Sequence, residues 1–126
     1  MEISAVGVTA TDLARAVAFY SLLGFSFPPV DDGEDHVEST NAGARLMIDS
    51  VGLITGLLGE APRPGNTSAF AVRLPAPGQV DGLVTRVAAA GHTVVTAAFD
   101  APWEQRYATV TDPDGYRVDR YAPLAG

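Results

Sequence analysis

The spacing of apolar residues changes within the first part of the chain. Over residues 3–10, small or polar residues alternate with apolar ones, which is the period of a half-buried β-strand. The apolar residues that follow have helical spacing: Leu13, Ala16, Val17, Tyr20 and Leu23. Asp12 precedes this run as a capping residue, and Gly24 follows it as a helix stop. We therefore predict a strand and then a helix with one apolar face.

Three more short strands are predicted in the first half of the chain. Residues 25–27 begin a strand that the pair Pro28-Pro29 ends. Residues 36–40 and 44–50 flank an Asn-Ala-Gly sequence at 41–43, which is a composition typical of hairpin turns. The predicted order is strand, helix, strand, strand, strand.

The second half repeats this order. Residues 56–67 are rich in Gly and Pro and are interpreted as a linker. A strand at 68–75, a helix at 79–91 and a strand at 92–99 follow. The last two strands are predicted within 106–121, where the sequence DPDG indicates a tight turn.

The two halves also share a helix–Gly–strand junction, which reads LLGFSF in the first half and AAGHTVV in the second. A duplication near half the chain length indicates two copies of one structural unit. We predict an α+β fold in which two βαβββ modules form a curved mixed sheet around a cleft, with the helices outside. Module one spans about residues 1–58, the linker about 59–66 and module two about 67–126.

Length and composition narrow the class of protein. The 126 residues fit one domain, and 47% hydrophobic residues are enough for a sizeable core. No apolar run is long enough to cross a bilayer, and no signal-peptide pattern is seen at the N-terminus. Because the chain has no cysteine, thiolate catalysis and sulfur-based zinc sites are excluded. We expect a cytoplasmic protein.

The formal net charge of −7 bears on the partners. Nucleic acid requires a basic surface, so we expect no nucleic-acid partner. The charge permits a cationic ligand, although acidity also serves solubility.

Two segments together resemble the vicinal oxygen chelate superfamily, which is also named for glyoxalases, bleomycin resistance proteins and dioxygenases. They read DLARAVAFYSLLGF after the first strand and YATVTDPDGYRVDRYAP near the C-terminus. The resemblance covers nearly the whole chain. It implies a homodimer whose clefts the second copy completes, but it implies no single activity, because one fold hosts many functions.

The resemblance further implies four metal-ligand slots, which fall at Ala5, Met47, Ala69 and Asp119. A shift of two residues would place Asp49 in the second slot. Alanine has no donor atom, and a thioether is a poor ligand for a hard metal. His36 and His92 lie elsewhere and are interpreted as structural or solvated side chains. We therefore expect no functional metal and no cofactor.

Side chains alternate along a strand, so the positions of the four metal-ligand slots show which residues face the cleft. On the first strand of each module these residues are mostly small, which leaves room for a large ligand. Trp103 and Tyr107 are expected to stack on a flat ligand, with Arg106 nearby as a planar donor. The other predicted ligand-binding residues are Met47, Asp119 and Tyr121. The alternative for Trp103 is that it covers the edge of the core.

These features predict a metal-independent small-molecule binding protein that resembles the antibiotic-sequestering branch of the superfamily. An aromatic or cationic antibiotic is the expected ligand, and neither a nucleic acid nor a membrane is an expected partner. A rival hypothesis is an enzyme: a metal-dependent lyase, epimerase or dioxygenase with ligands elsewhere, or a metal-free enzyme that uses Asp119, Tyr107 or Arg106. A small-molecule sensor or an accessory subunit is a further alternative.

Overall fold

The structure, a computed structural model, describes residues 1–66 and 69–124, and the chain divides into units Met1–Pro64 and Gly65–Gly126. Each unit combines helix with a mixed sheet, so the predicted α+β class is confirmed. Thr67 and Ser68, where the predicted linker ends and the next predicted strand begins, lie outside the described residues. None of the described helices is long and apolar enough to span a membrane.

The first unit contains three strands and two helices: β1 (Ala5–Ala10), α1 (Leu13–Leu22), β2 (His36–Glu38), β3 (Arg45–Ser50) and α2 (Val51–Leu58). The strand order is β1-β3-β2, with β1 parallel and β2 antiparallel to β3. The predicted cap of α1 is confirmed, because the Asp12 carboxylate accepts a hydrogen bond from the Arg15 amide at 3.1 Å. The α1 face carrying Phe19 and Tyr20 is fully buried, as is Ile48 of β3.

Two predictions for this unit are wrong. Residues 25–27 form no strand: the Phe25 amide bonds to the Tyr20 carbonyl at the helix end, and the prolines that follow cannot donate to a ladder. Residues 56–58, at the start of the Gly-rich linker, instead form the end of the helix α2. Ser50 caps this helix by accepting from the Leu53 amide at 3.1 Å, and Gly59 ends it at φ 81°.

The second unit has the predicted βαβββ order: β4 (Phe70–Arg73), α3 (Pro77–Ala89), β5 (Val94–Ala101), β6 (Gln105–Thr111) and β7 (Arg117–Pro123). The strand order is β4-β7-β6-β5, with β4 parallel to β7 and the other neighbours antiparallel. Both units therefore pair their first strand in parallel with their last, as an internal duplication predicts.

Helix α3 covers one face of this sheet. Val80 of the helix packs against Ala108 of β6 and Ala122 of β7, and all three are fully buried. Arg120 of β7 is buried on the same face, where burial lowers its pKa to about 10. Because side chains alternate along a strand, the residues between these positions lie on the opposite face. We call that opposite face of β4-β7-β6-β5 the open face.

Candidate functional site

Strand register aligns four side chains across the open face. Arg73 of β4 lies opposite Tyr121 of β7, which lies opposite Tyr107 of β6, which in turn lies opposite Phe99 of β5. We call these four residues the Arg73 row. Neighbouring strands are about 4.8 Å apart, so the row places one guanidinium at the end of a line of three aromatic side chains.

The turn between β5 and β6 places Trp103 beside this row. The Glu104 amide bonds to the Ala101 carbonyl at 3.0 Å, and Glu104 has φ 64°. A tight turn followed by a left-handed residue is a common three-residue hairpin connection, and Pro102 fits the second position of such a turn. The indole Nε1 of Trp103 donates to the Gln105 side-chain oxygen at 3.0 Å. The turn and this hydrogen bond together fix the orientation of the indole.

Three aromatic rings meet on the open face, and we call them the aromatic cluster: Phe99, Trp103 and Tyr107. The Trp103 and Tyr107 centroids are 5.3 Å apart, Phe99 and Trp103 are 6.2 Å apart, and Phe99 and Tyr107 are 6.4 Å apart. All three pairs meet edge to face. Trp103 is 53% exposed and Phe99 37%, so about half of the indole remains open to solvent beside the other two rings.

Asp119 occupies the middle of the open face and is held by its own sheet. Its Oδ2 accepts from the Tyr107 hydroxyl, and its Oδ1 accepts from the Thr109 hydroxyl at 2.7 Å. Burial, and secondarily the Asp119 carboxylate, raise the pKa of Tyr107 to about 12. Tyr107 is therefore a neutral hydroxyl at physiological pH, with its proton directed at Asp119. This pair is suited to fix the ring of Tyr107 rather than to act as a base.

Arg106 lies on the other face of the sheet. Its guanidinium bonds to Asp81 of α3 at 2.7 Å and 3.3 Å and to Asp100 of β5 at 3.1 Å. Asp81, followed by Asp100, raises the pKa of Arg106, and Arg106 in return lowers the pKa of Asp81. The side chain thus joins β6 to the helix and stands apart from the aromatic cluster, although it adjoins Tyr107 in sequence.

Met47 belongs to the first unit, on the face of its sheet that α1 leaves uncovered. It lies opposite Gly7 of β1 and opposite Glu38 of β2, and it is half-buried. Tyr121 belongs to the Arg73 row of the second unit and is also half-buried. The predicted ligand-binding residues therefore divide between the two units.

A histidine cluster that the sequence analysis missed lies on the same face as Met47. His36 Nδ1 is 2.5 Å from Asp49 Oδ1, and its Nε2 is 2.9 Å from Glu38 Oε2. The Glu38 carboxylate also accepts from Arg45 at 2.5 Å. The hydrogen bonds to Glu38 and then Asp49 raise the pKa of His36. The register of the predicted hairpin could have revealed this cluster from the sequence, because the pairing of β2 with β3 sets His36 opposite Asp49.

A sequence model of the glyoxalase/bleomycin resistance protein/dioxygenase superfamily matches residues 2–119. The chain belongs to this superfamily. No protein of curated function matches the chain.

Solved structures of several other proteins share the fold of this chain. A glyoxalase-related enzyme from Fulvimarina pelagi is 25% identical, with 97% of this chain and 88% of that chain covered and a TM-score of 0.81. Lactoylglutathione lyase from Agrobacterium tumefaciens is 20% identical (95% and 92% covered, TM-score 0.71). TioX from Micromonospora sp. ML1 is 23% identical (98% and 100% covered, TM-score 0.67). The similarity thus extends to proteins with different names and supports the fold rather than one activity.

The donor atoms at the four slots do not suit the divalent metal that the superfamily implies. Ala5 and Ala69 have no donor, and Met47 offers a thioether, which binds hard cations poorly. Asp119 already accepts two hydroxyl protons. Within residues 1–66 and 69–124, no group of three or more His, Asp or Glu side chains is placed to hold a metal.

Proposed function

We propose that this protein binds a flat, largely aromatic small molecule without a metal, and that the aromatic cluster is its contact surface. One observation carries the proposal: Trp103 and Phe99 are exposed beside the ring of Tyr107, which Asp119 holds in place through a hydrogen bond. Sequestration of an aromatic antibiotic is the function that this surface fits best.

The energetics of the cluster favour a ligand. A Trp side chain that is 53% exposed retains apolar area that a ligand can bury at roughly 25 cal/mol per Å². Aromatic pairs in edge-to-face or offset geometry add about 0.5–1.5 kcal/mol beyond that burial. The turn and the Gln105 hydrogen bond have already fixed the indole, so little side-chain entropy is lost on binding.

The superfamily assignment is compatible with this proposal but does not decide it. Similar structures include a lyase and TioX, and at 20% and 23% identity they share the fold with this chain without indicating its function. The proposal therefore rests on the open face itself, where small and aromatic residues outnumber groups suited to proton transfer.

The test is a binding titration with flat polycyclic antibiotics. Trp103 is the single tryptophan, so its fluorescence reports contact directly, and calorimetry gives the affinity. We expect quenching in the wild type, a loss of affinity of about tenfold or more in Trp103→Leu, and no change in Ile3→Ala. Ile3 is a matched control because it is an apolar residue that is 80% exposed and belongs to neither the Arg73 row nor the aromatic cluster.

Recovery of the ligand separates binding from turnover. A sequestering protein returns the drug unchanged and protects a sensitive host in which it is expressed. Absence of quenching across the panel, or equal affinities for wild type and Trp103→Leu, would refute the proposal.

A second candidate function is metal-free proton transfer at the first unit. The observation that favours it is His36 between two carboxylates, an arrangement that orients an imidazole and supports its protonated form. Chemical conversion of a bound ligand by the wild type, with loss of conversion but not of binding in His36→Gln, would establish this function in place of sequestration.

A further inference from the structure

We propose that the ligand of the open face carries an anionic group, such as a carboxylate or an ionised phenol, which Arg73 binds at the end of the Arg73 row. This inference rests on the proposed function, since it specifies the charge of the molecule that the aromatic cluster holds. It departs from the cationic ligand that the net charge of −7 permits.

The charges of the open face differ from those of the whole chain. The ionisable side chains that its four strands direct to this face, apart from the tyrosines, are Arg73, Arg117 and Asp119. Two of the three are cationic. A charge some distance away on the surface is screened within about 8–10 Å at physiological ionic strength, so the nearest groups decide which ligand is favoured.

Asp119 is the acidic group, and it is already engaged. Each of its oxygens accepts a hydroxyl proton from β6, one from Tyr107 and one from Thr109. These bonds stabilise the carboxylate in place, and a cationic ligand would compete with them. Arg73, in contrast, is exposed and makes no hydrogen bond or salt bridge within residues 1–66 and 69–124.

The position of Arg73 suits a ligand that lies along the row. Arg73 pairs with Tyr121 in the parallel β4–β7 ladder, and Tyr121 pairs with Tyr107 in the β6–β7 ladder. From β4 to β6 the row crosses two strand spacings, or about 10 Å, which matches the length of two to three fused rings. A flat molecule stacked on the aromatic cluster can thus extend its acidic group to the guanidinium, which binds carboxylates through two parallel hydrogen bonds.

The experiment uses three probes with one ring system: anthraquinone-2-carboxylate, anthraquinone-2-carboxamide and the cation 2-(aminomethyl)anthraquinone. Quenching of Trp103 and calorimetry are measured for the wild type, Arg73→Gln and Arg86→Gln. The control removes the same charge from α3, which covers the opposite face of the sheet. We expect the wild type to bind the carboxylate about threefold to tenfold more tightly than the carboxamide. Arg73→Gln should lose this preference but still bind the carboxamide, and Arg86→Gln should keep it.

The outcomes distinguish the two proposals. If all three probes quench Trp103 but the carboxylate has no advantage, or the cation binds best, the anionic ligand is refuted while binding at the aromatic cluster stands. The same holds if Arg73→Gln keeps the preference. If no probe quenches Trp103 at any concentration, the proposed function itself fails and the inference fails with it.

Discussion

Asp119 illustrates how one residue type changes its role with its neighbours. It occupies the last of the four slots, where the superfamily resemblance implies a metal ligand. Here the neighbouring strand supplies two hydroxyl groups, of Tyr107 and Thr109, that donate hydrogen bonds to the carboxylate. The carboxylate therefore holds Tyr107 in place, and Tyr107 in turn packs against Trp103 with the two ring centroids 5.3 Å apart.

The ionisation of Tyr107 tests this arrangement. Burial and Asp119 raise its pKa to about 12, so the folded form retains the proton over a range where the unfolded chain loses it, starting near pH 10. The resulting stabilisation is complete below pH 10 and is lost as the pH rises through 12. In a titration of tyrosinate absorbance, we expect Tyr107→Phe to lack a step near pH 12, and Asp119→Asn to shift that step to lower pH.

Tyr121→Phe is the control for this titration, since it removes a tyrosine of the same face that makes no hydrogen bond to Asp119. An Asp119→Asn protein that titrates like the wild type would show that the carboxylate does not act on Tyr107.

At the scale of elements, the turn that joins β6 and β7 is built around one carboxylate. Asp112 is buried, and its Oδ1 accepts from the amides of Asp114 at 2.9 Å and Tyr116 at 3.0 Å. Gly115 adopts φ 94°, a conformation that favours glycine. The tight turn predicted from the sequence DPDG is confirmed, and this turn sets the register that brings Tyr107 and Thr109 to Asp119.

Replacing Asp112 should therefore weaken the hairpin. Asp112→Ala leaves two amides without their acceptor, and we expect a loss of about 1–3 kcal/mol in the free energy of unfolding. Asp112→Asn retains the acceptor oxygen and should lose less than half as much. Denaturant unfolding at neutral pH measures both variants. Equal stability of Asp112→Ala and the wild type would contradict this account of the turn.

The histidine cluster joins the short strand β2 to its only neighbour in the described sheet, β3. The charged and titratable groups around His36 are Glu38 on its own strand and Asp49 and Arg45 on β3. The pKa of His36 is higher in the folded protein than in the unfolded chain. Protonation of His36 therefore stabilises the folded protein fully below the ordinary pKa of about 6.5, and this stabilisation is lost as the pH rises through the folded pKa.

Proton NMR can follow this ionisation. We expect the His36 ring resonance to titrate above pH 6.5, with the midpoint lowered in Glu38→Gln and in Asp49→Asn. The resonance is assigned by its loss in His36→Gln. A midpoint that neither substitution moves would mean that the two carboxylates do not hold the imidazole in solution.

The sequence predicted elements where capping residues and spacing agreed, as in α1 between Asp12 and Gly24. It missed α2 because VGLITGLL has no polar face, so neither helical nor strand periodicity stands out. Within the site, the sequence analysis placed Arg106 beside Tyr107 at the ligand, whereas the structure directs these neighbouring side chains to opposite faces of the sheet, as strand alternation requires. The contact between Phe99 and Tyr107 was not predictable, because two register shifts in β5 change which residue faces β6.

At the scale of the whole molecule, the distribution of charge indicates where two copies could meet. Two chains with a net charge of −7 each repel one another, so a contact is favoured where charge is absent. None of the eight residues of α2 is charged, and Leu57 and Leu58 are 72% and 64% exposed. We propose that the homodimer implied by the superfamily resemblance uses α2, because burying these leucines against a second copy gains apolar burial with little repulsion.

Light scattering and sedimentation over a range of protein concentrations can test this proposal. We expect a dimer for the wild type and a shift toward monomer in Leu57→Glu, because a buried carboxylate without a partner would be strongly unfavourable at a symmetric contact. Val95→Glu adds the same charge at another exposed apolar position, in β5, and should leave the dimer intact. A monomeric wild type would refute the dimer, whereas a dimer that survives Leu57→Glu but not Val95→Glu would move the contact from α2 to the sheet of the second unit.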